Sequence, residues 1–350
     1  KAHLLRARIH ARNHIHQKAL EDLQEAVKYQ PDRLEYQAEL GSYYLDLGEY
    51  AKANQYFETA LQKDPQNVEV LLGKGRAMWK NGDIVKAKEL LENTAKLAPQ
   101  DPRPLYYLGQ ISEELEKIEE ARSYYEKATG ISTKYLPARV ALANLYTKLG
   151  QNSQALTVLS EALKANPSSA LVHEGLGLVH RAQGNFQLAE KEFRTAIELD
   201  PQLASAYFNL ANTLRDRGQL EQAVKLYEQT AVLSPRYPGL ALEYGYTLYQ
   251  LKRYKEALKL FEDAILHDPK DDQLYFRAGL TAAALGDEKA AMGYFQTATG
   301  INRKNNQAIY HLGLLLANKG ELDKAKELFR QVIELDAKHA ESHFQLGLCL

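Results

Sequence analysis

Residues 34–67 read LEYQAELGSYYLDLGEYAKANQYFETALQKDPQN, and residues 68–101 read VEVLLGKGRAMWKNGDIVKAKELLENTAKLAPQD. Laid one above the other without a gap, they put Gly41 over Gly75, Gly48 over Gly82, Ala53 over Ala87, Phe57 over Leu91 and Pro65 over Pro99. The same register runs through the whole chain. Pro31, Pro65, Pro99, Pro167, Pro201, Pro235 and Pro269 lie at multiples of 34 from one another, with Thr133 in the one skipped slot. With Leu34 as position 1, position 8 holds only Gly or Ala from Ala7 to Gly347, and position 20 is Ala in every slot from Ala19 to Ala325. Position 24 is always large: Leu23, Phe57, Leu91, Tyr125, Leu159, Phe193, Tyr227, Phe261, Phe295 and Phe329.

Small and large residues alternating at fixed offsets describe two helices packed at close range, the small ones letting the backbones approach and the large one filling the space beside them. Helix A is expected over about positions 1 to 14 and helix B over about 17 to 30, each about 20 Å long. Gly at position 15 (Gly48, Gly82, Gly150, Gly184, Gly218, Gly286, Gly320) suits a left-handed helix end. Proline at position 32 stops helix B and biases the residue before it away from helix. Gly130 in KATGISTK and Gly300 in TATGINRK both fall at position 29. They predict that helix B ends about one turn early in those two repeats.

Composition narrows the function classes. The 350 residues carry Lys+Arg 44 against Asp+Glu 45, a net charge of −1, so no chain-wide field draws in nucleic acid or an anionic membrane. The single Cys349 offers neither an internal disulfide nor a zinc spacing. No window approaches the roughly 18 apolar residues of a membrane span, since even Ala278 to Leu285 ends at Gly286 and Asp287. A start at Lys1 without a charged-then-apolar leader reads as a fragment or processed form.

Position 8 Gly/Ala, a large position 11, position 20 Ala, position 24 Phe/Tyr, position 27 Ala and position 32 Pro together resemble the tetratricopeptide repeat (TPR). Departures are Thr133, Arg303 and Ala337 at position 32, and Thr94, Thr230 and Val332 at position 27. The resemblance implies an all-α, right-handed superhelical solenoid of ten helix pairs plus the first helix of an eleventh. It forms one continuous array over 1–350, with repeats 1–33, 34–67, 68–101, 102–135, 136–169, 170–203, 204–237, 238–271, 272–305, 306–339 and a partial 340–350. It also implies a concave groove lined by helix A at positions 2, 5, 9, 12 and 13, which form one helix stripe. The expected occupant is a protein or peptide.

Along that stripe the chemistry changes. The first repeats present Leu4, Arg8, Arg12, Leu72, Arg76, Trp79 and Lys80, with Glu35, Asp46 and Glu69 between them. Repeats four to seven are mixed and polar, with Arg103, Tyr106, Gln110, Glu113, Asn144, Lys148, Glu174, Arg181, Phe208, Asn212 and Arg215. Repeats eight to eleven offer Leu242, Tyr246, Tyr249, Phe276, Leu280, Tyr310, Leu314, Phe344 and Leu348 with hardly a charge. That apolar half predicts a seat for an amphipathic helix or extended apolar segment anchored by Tyr246, Phe276 and Tyr310. The alternative is that curvature, or a further helix, covers the stripe.

Other signals are weaker. His10, His14 and His16 cluster, and His339 with His343 has i, i+4 spacing, but no acidic residue completes a ligand pattern with them. His3, His173 and His343 fall at position 4, where packing is the ordinary role. Gly73 with Gly75 and Gly175 with Gly177 lack full phosphate-loop spacing. No nucleophile motif or confined carboxylate pair occurs, and neither metal nor cofactor is expected. The carboxylate clamp of chaperone-binding TPR proteins needs Lys at position 5, which no repeat here has. Repeat seven, AYFNLANTLRDRGQLEQAVKLYEQ, resembles the TPR arm of O-linked N-acetylglucosamine transferases through Asn209 and Asn212, a pair the other repeats lack. The reading is a non-catalytic scaffold that organises a protein complex. Its alternatives are the substrate-recruiting arm of a larger glycosyltransferase-type enzyme or secretion machine, and a structural protein that self-associates through its C-terminal end. Neither nucleic acid binding nor membrane insertion is expected. The compartment stays open, bacterial cytoplasm or periplasm being compatible with the regular, indel-free array and with Pro167 after Asn166.

Overall fold

Helix B spans positions 17 to 30 in all ten repeats, fourteen residues each time, from His16–Tyr29 through Tyr50–Lys63 to Leu322–Leu335. This is seen in a computed structural model that describes the backbone of residues 2–12 and 16–350 and the side chains of 3–10 and 17–350. Arg12, His14 and His16 therefore lie outside the described side chains. The described residues form helices and connecting turns, with no strand among them. Helix A is mostly thirteen residues, as in Val68–Lys80, one fewer than expected. The chain divides into two compact units, Lys1–Gln183 and Gly184–Leu350. The boundary falls inside repeat six, between Ala170–Ala182 and Phe186–Leu199.

The A-to-B turn is the same device in repeats two to five and seven to ten. In repeat two the Glu49 N–H donates to Tyr44 O at 2.9 Å and the Gly48 N–H to Leu45 O at 3.1 Å, so two carbonyls at the end of helix A are satisfied as the chain turns through a left-handed residue. Glu116 and Lys252 occupy that slot in repeats four and eight with φ of 57° and 59°, a conformation that strains a side chain bearing a Cβ. Several B-to-A turns have a second lock besides proline, a carboxylate or amide at position 31 that accepts from the backbone two residues on: Asp200 from Gln202 N–H at 3.0 Å, Asn302 from Lys304 N–H at 3.0 Å, and Asp336 from Lys338 N–H at 3.0 Å. The last two sit beside Arg303 and Ala337, where the proline is missing. Position 4 then ties helix A to the preceding turn, since Gln37 donates to Pro31 O at 2.6 Å, while His173 and His343 lie 3.2 and 3.1 Å from the Pro167 and Ala337 carbonyls.

Within each unit the core is a string of clusters built on one contact. A Cβ on Gly109 would stand 2.4 Å from Tyr125 Cε1, and one on Gly245 2.4 Å from Phe261 Cζ, so the position 24 ring rests on the bare backbone of position 8. Position 20 alanines are wholly buried, from Ala19 to Ala325. Gly73 and Gly75 are used the same way, against Phe57 and Leu91, inside a helix and away from any phosphate-loop geometry.

One expectation is corrected. Helix B does not shorten at Gly130 or Gly300: Ile118–Ile131 and Glu288–Ile301 have the same fourteen residues as the others. Both glycines are exposed, and an added Cβ would meet nothing within 4 Å. A helix-interior glycine costs only about 1 kcal/mol, less than the packing of Ala128 and Tyr125, or of Ala298 and Phe295, holds in place.

Two stability measurements follow from these contacts. By urea denaturation, Gly109→Val is expected to lose about 2–3 kcal/mol through overpacking against Tyr125, whereas Gly130→Ala is expected to gain about 0.5–1 kcal/mol. Lys252→Gly is expected to raise stability by about 1 kcal/mol by relieving the left-handed backbone; a lower midpoint would show that the Lys252 side chain holds the turn.

Candidate functional site

In the first unit, the outward faces of successive helices A line two open cavities that share a wall. One, of about 510 Å³, is lined by Tyr106, Gln110, Glu113, Val140, Asn144 and Leu178, among others. The other, of about 490 Å³, is lined by Leu45, Tyr50, Arg76, Trp79, Lys80, Tyr106, Tyr107, Gln110, Tyr135 and Pro137. Tyr106, Gln110 and Pro137 belong to both, so the two form one groove along repeats two to six. Nearly all these residues stand at positions 2, 5, 9, 12 or 13. The stripe therefore brings Arg76, Lys80, Tyr106 and Asn144 to one surface.

Position 9 supplies a polar ladder there, Arg76, Gln110 and Asn144 from three consecutive repeats. The Arg76 guanidinium lies over the Tyr107 ring, 5.3 Å from its centroid, and has no carboxylate within ion-pair distance among the described residues. The Asn144 Oδ1 is buried and accepts no hydrogen bond. The Gln110 side-chain amide has no partner among the described residues. A buried acceptor of this kind costs about 1–3 kcal/mol while it stays unmatched. The floor below is already committed, because Glu113 accepts from the Tyr125 hydroxyl at 3.0 Å and pairs with Lys148. Burial, followed by the Glu113 charge, drives the Tyr125 phenol far above its ordinary range, keeping it a neutral donor. Tyr106, packed at 5.2 Å from Tyr107 and 5.7 Å from Tyr135, is raised chiefly by burial.

Other expected groove residues are engaged internally. Trp79 is buried, its indole N–H donating to Glu114 Oε2 at 3.0 Å and the Lys80 ammonium lying 3.6 Å from its ring. Arg8 forms a bidentate pair with Glu39 at 2.7 and 2.8 Å. In the second unit Asn212 is buried and accepts from the Tyr227 hydroxyl at 2.6 Å, and Arg215 pairs with Glu243 and Asp216.

The apolar stripe of the second unit is less open than its composition implies. Phe276 is 2% exposed, with its ring 6.1 Å from Phe295 and 5.8 Å from His311, so this expected anchor is corrected to a core residue. Leu280 and Leu314 are partly buried against the same cluster, and Leu242 against the cluster around Phe261. Tyr310 packs among His311, Phe329 and His339. Tyr249 meets Tyr254 edge-on at 5.2 Å. Tyr246 is covered by the Arg277 guanidinium, 4.7 Å from its ring. Phe344 is 64% exposed and Leu348 is also exposed. Tyr107, Arg277 and His311, which the stripe omitted, all occupy position 6. That position lies three residues before position 9 on the same helix face, so helical spacing alone could have found them.

Among the described residues no cluster of His, Cys, Asp and Glu could hold a metal ion. His3 and His10 instead face Asp22, at 3.3 and 3.7 Å, and Arg6 donates to the same carboxylate at 2.7 Å. Likewise, no described helix is long and apolar enough to cross a membrane.

Paired helices locked by a small–large contact, with one helix of each pair facing a groove, define the class of α-helical repeat proteins. The chain belongs to the tetratricopeptide repeat family. Matches described as tetratricopeptide repeat cover residues 4–68, 140–204 and 253–306, with others at 44–111, 214–278, 192–225, 102–135 and 307–339. Human tetratricopeptide repeat protein 7B is 36% identical over 118 residues, 34% of this chain and 14% of that protein. Anaphase-promoting complex subunit 6 of Arabidopsis thaliana is 26% identical over 154 residues, 44% of this chain and 28% of that protein. The chain thus spans less than a third of either relative. The crystal structure of yeast Tom70 superposes with a TM-score of 0.54 at 15% identity, covering 99% of this chain and 94% of that one, a likeness of fold. TPR proteins mediate protein–protein interaction and complex assembly, mainly as non-catalytic scaffolds.

The Asp22 cluster yields a pH test. The Arg6 hydrogen bond above all holds the Asp22 carboxyl at about 2, against an ordinary 3.8. The ionised form is favoured by folding, so its contribution is complete above the ordinary value and fades as pH falls through about 2. Asp22→Asn is expected to be less stable than wild type near neutrality, with the two thermal midpoints converging as the pH approaches 2. A gap that persists there would place the effect outside the carboxylate's charge.

Proposed function

We propose that this chain is a non-catalytic scaffold that holds an extended segment of a partner protein in the first unit's groove and so organises a protein complex. The observation that carries this reading is the pair of adjoining cavities lined by Arg76, Gln110 and Asn144, whose polar capacity is unmet while Lys80, Glu113 and Lys148 beside them are already paired. A segment in extended conformation presents main-chain N–H and C=O groups at regular intervals, which side-chain amides such as Gln110 and Asn144 match with either donor or acceptor. Val140, Leu171 and Leu178 supply apolar contact beside them. That the Arabidopsis relative is a subunit of the anaphase-promoting complex supports a place in an assembly.

The test is panning a random peptide library against three folded forms of the chain: wild type, Val140→Arg with Leu178→Arg to block the groove, and Tyr246→Glu with Tyr310→Glu in the second unit. Peptides that hold to wild type and to the second-unit variant but weaken at least about tenfold on the blocked form are the expected result. Undiminished binding to the blocked form would move the site elsewhere, and loss confined to the Tyr246 and Tyr310 variant would move it to the apolar stripe.

A further inference from the structure

The chemistry of the occupant is legible in how the groove's charges are paired. Arg8 is matched by Glu39, Arg103 by Asp101 and Glu69, Lys80 by Glu114 at 3.8 Å and Lys148 by Glu113. Arg76 alone among these five cations has no ion pair. Asp46, at the end of the preceding helix A, feels the Arg76 charge without coming within ion-pair distance. No carboxylate lines the 490 Å³ cavity that Arg76 faces, and its lining residues include Leu45, Tyr50, Trp79, Tyr106, Tyr107 and Tyr135. A guanidinium stacked on one ring still presents its edge N–H groups, the geometry that takes a carboxylate in two parallel hydrogen bonds.

Resting on the groove reading above, we infer that the bound segment carries an acidic side chain, Asp or Glu, seated on Arg76 against the tyrosine wall. Its main chain continues over Gln110 and Asn144, and apolar residues follow toward Leu171 and Leu178. The acid is internal to the segment and is not its C-terminal carboxylate. Past Arg76 the helix-A faces continue into another open cavity, lined by Arg8, Glu39, Ser42 and Asp46, so the chain can run on through. The carboxylates there disfavour a second acid beyond the first.

The experiment uses N-acetylated, C-amidated random heptapeptides, whose only carboxylates are side chains, panned on the whole chain as wild type and as Arg76→Gln, each checked by circular dichroism. Enrichment of Asp or Glu at one position is expected on wild type and absent on Arg76→Gln. For an enriched peptide, replacing that Glu by Gln is expected to weaken binding at least about tenfold on wild type and by less than about twofold on Arg76→Gln. Equal losses on both proteins would overturn the assignment to Arg76. Peptides that need the unblocked groove but show no acidic preference would overturn this inference while leaving the groove standing; failure to select any groove-dependent peptide would overturn both.

Discussion

Everything in either unit depends on an aromatic or leucine side chain lying on a residue that has almost no side chain. Because the position 24 group rests on the backbone of position 8, the two helices of a repeat have one allowed separation and one allowed rotation. The next repeat repeats the contact, as Phe57 shows by also touching Gly73. Once the inner face of helix A is fixed in this way, positions 2, 5, 9, 12 and 13 fall on its flank, with 5 and 12 only about 40–60° around the helix from position 8. The groove is laid down along with the core, and some of its residues serve both, Phe276 packing on Phe295 and Tyr310 on Phe329 of their own repeats.

The stripe is used differently in the two units. In the first, polar and charged residues along the stripe are mostly neutralised by neighbours, while Arg76, Gln110 and Asn144, with Asp46 nearby, are left without an ion-pair or hydrogen-bond partner among the described residues. In the second, large apolar groups at the same positions find partners within the array: Phe276 against Phe295 and His311, and Tyr246 beneath Arg277. His311 is itself held neutral, its basicity lowered by burial among these rings. A stripe rich in aromatics can consolidate its own scaffold, whereas a stripe of short amides cannot.

The fold was legible because each repeat restates the same evidence. Ten alanines at one register position outweigh any single ambiguous residue, and helix B begins and ends where proline and glycine say it should. Gly130 and Gly300 misled because propensity is a small local cost and the burial of neighbouring Ala128 and Ala298 is larger. In the site, periodicity found the correct helix face but could not report side-chain direction. Phe276 and Tyr106 both stand at position 5, yet Phe276 is buried against Phe295 and His311 while Tyr106, beside Tyr125 and Tyr135, also lines the groove. The lone status of Arg76 was equally hidden, since it depends on which carboxylates reach which cations.

The turns carry a consequence for how such a chain can change length. Each connection is closed by hydrogen bonds at a fixed count of residues, Glu49 to Tyr44 on one side and Asp200 to Gln202 on the other. Losing a single residue within a helix A would rotate everything after it by about 100°, swinging the glycine of position 8 away from its ring. Excision of a whole 34-residue block such as 68–101 would instead keep every later position in register, at the cost of setting Tyr107 where Gly73 lies beside Phe57. Gain or loss of an entire repeat is thus the length change that preserves register, and each one adds or removes one rung of position 9.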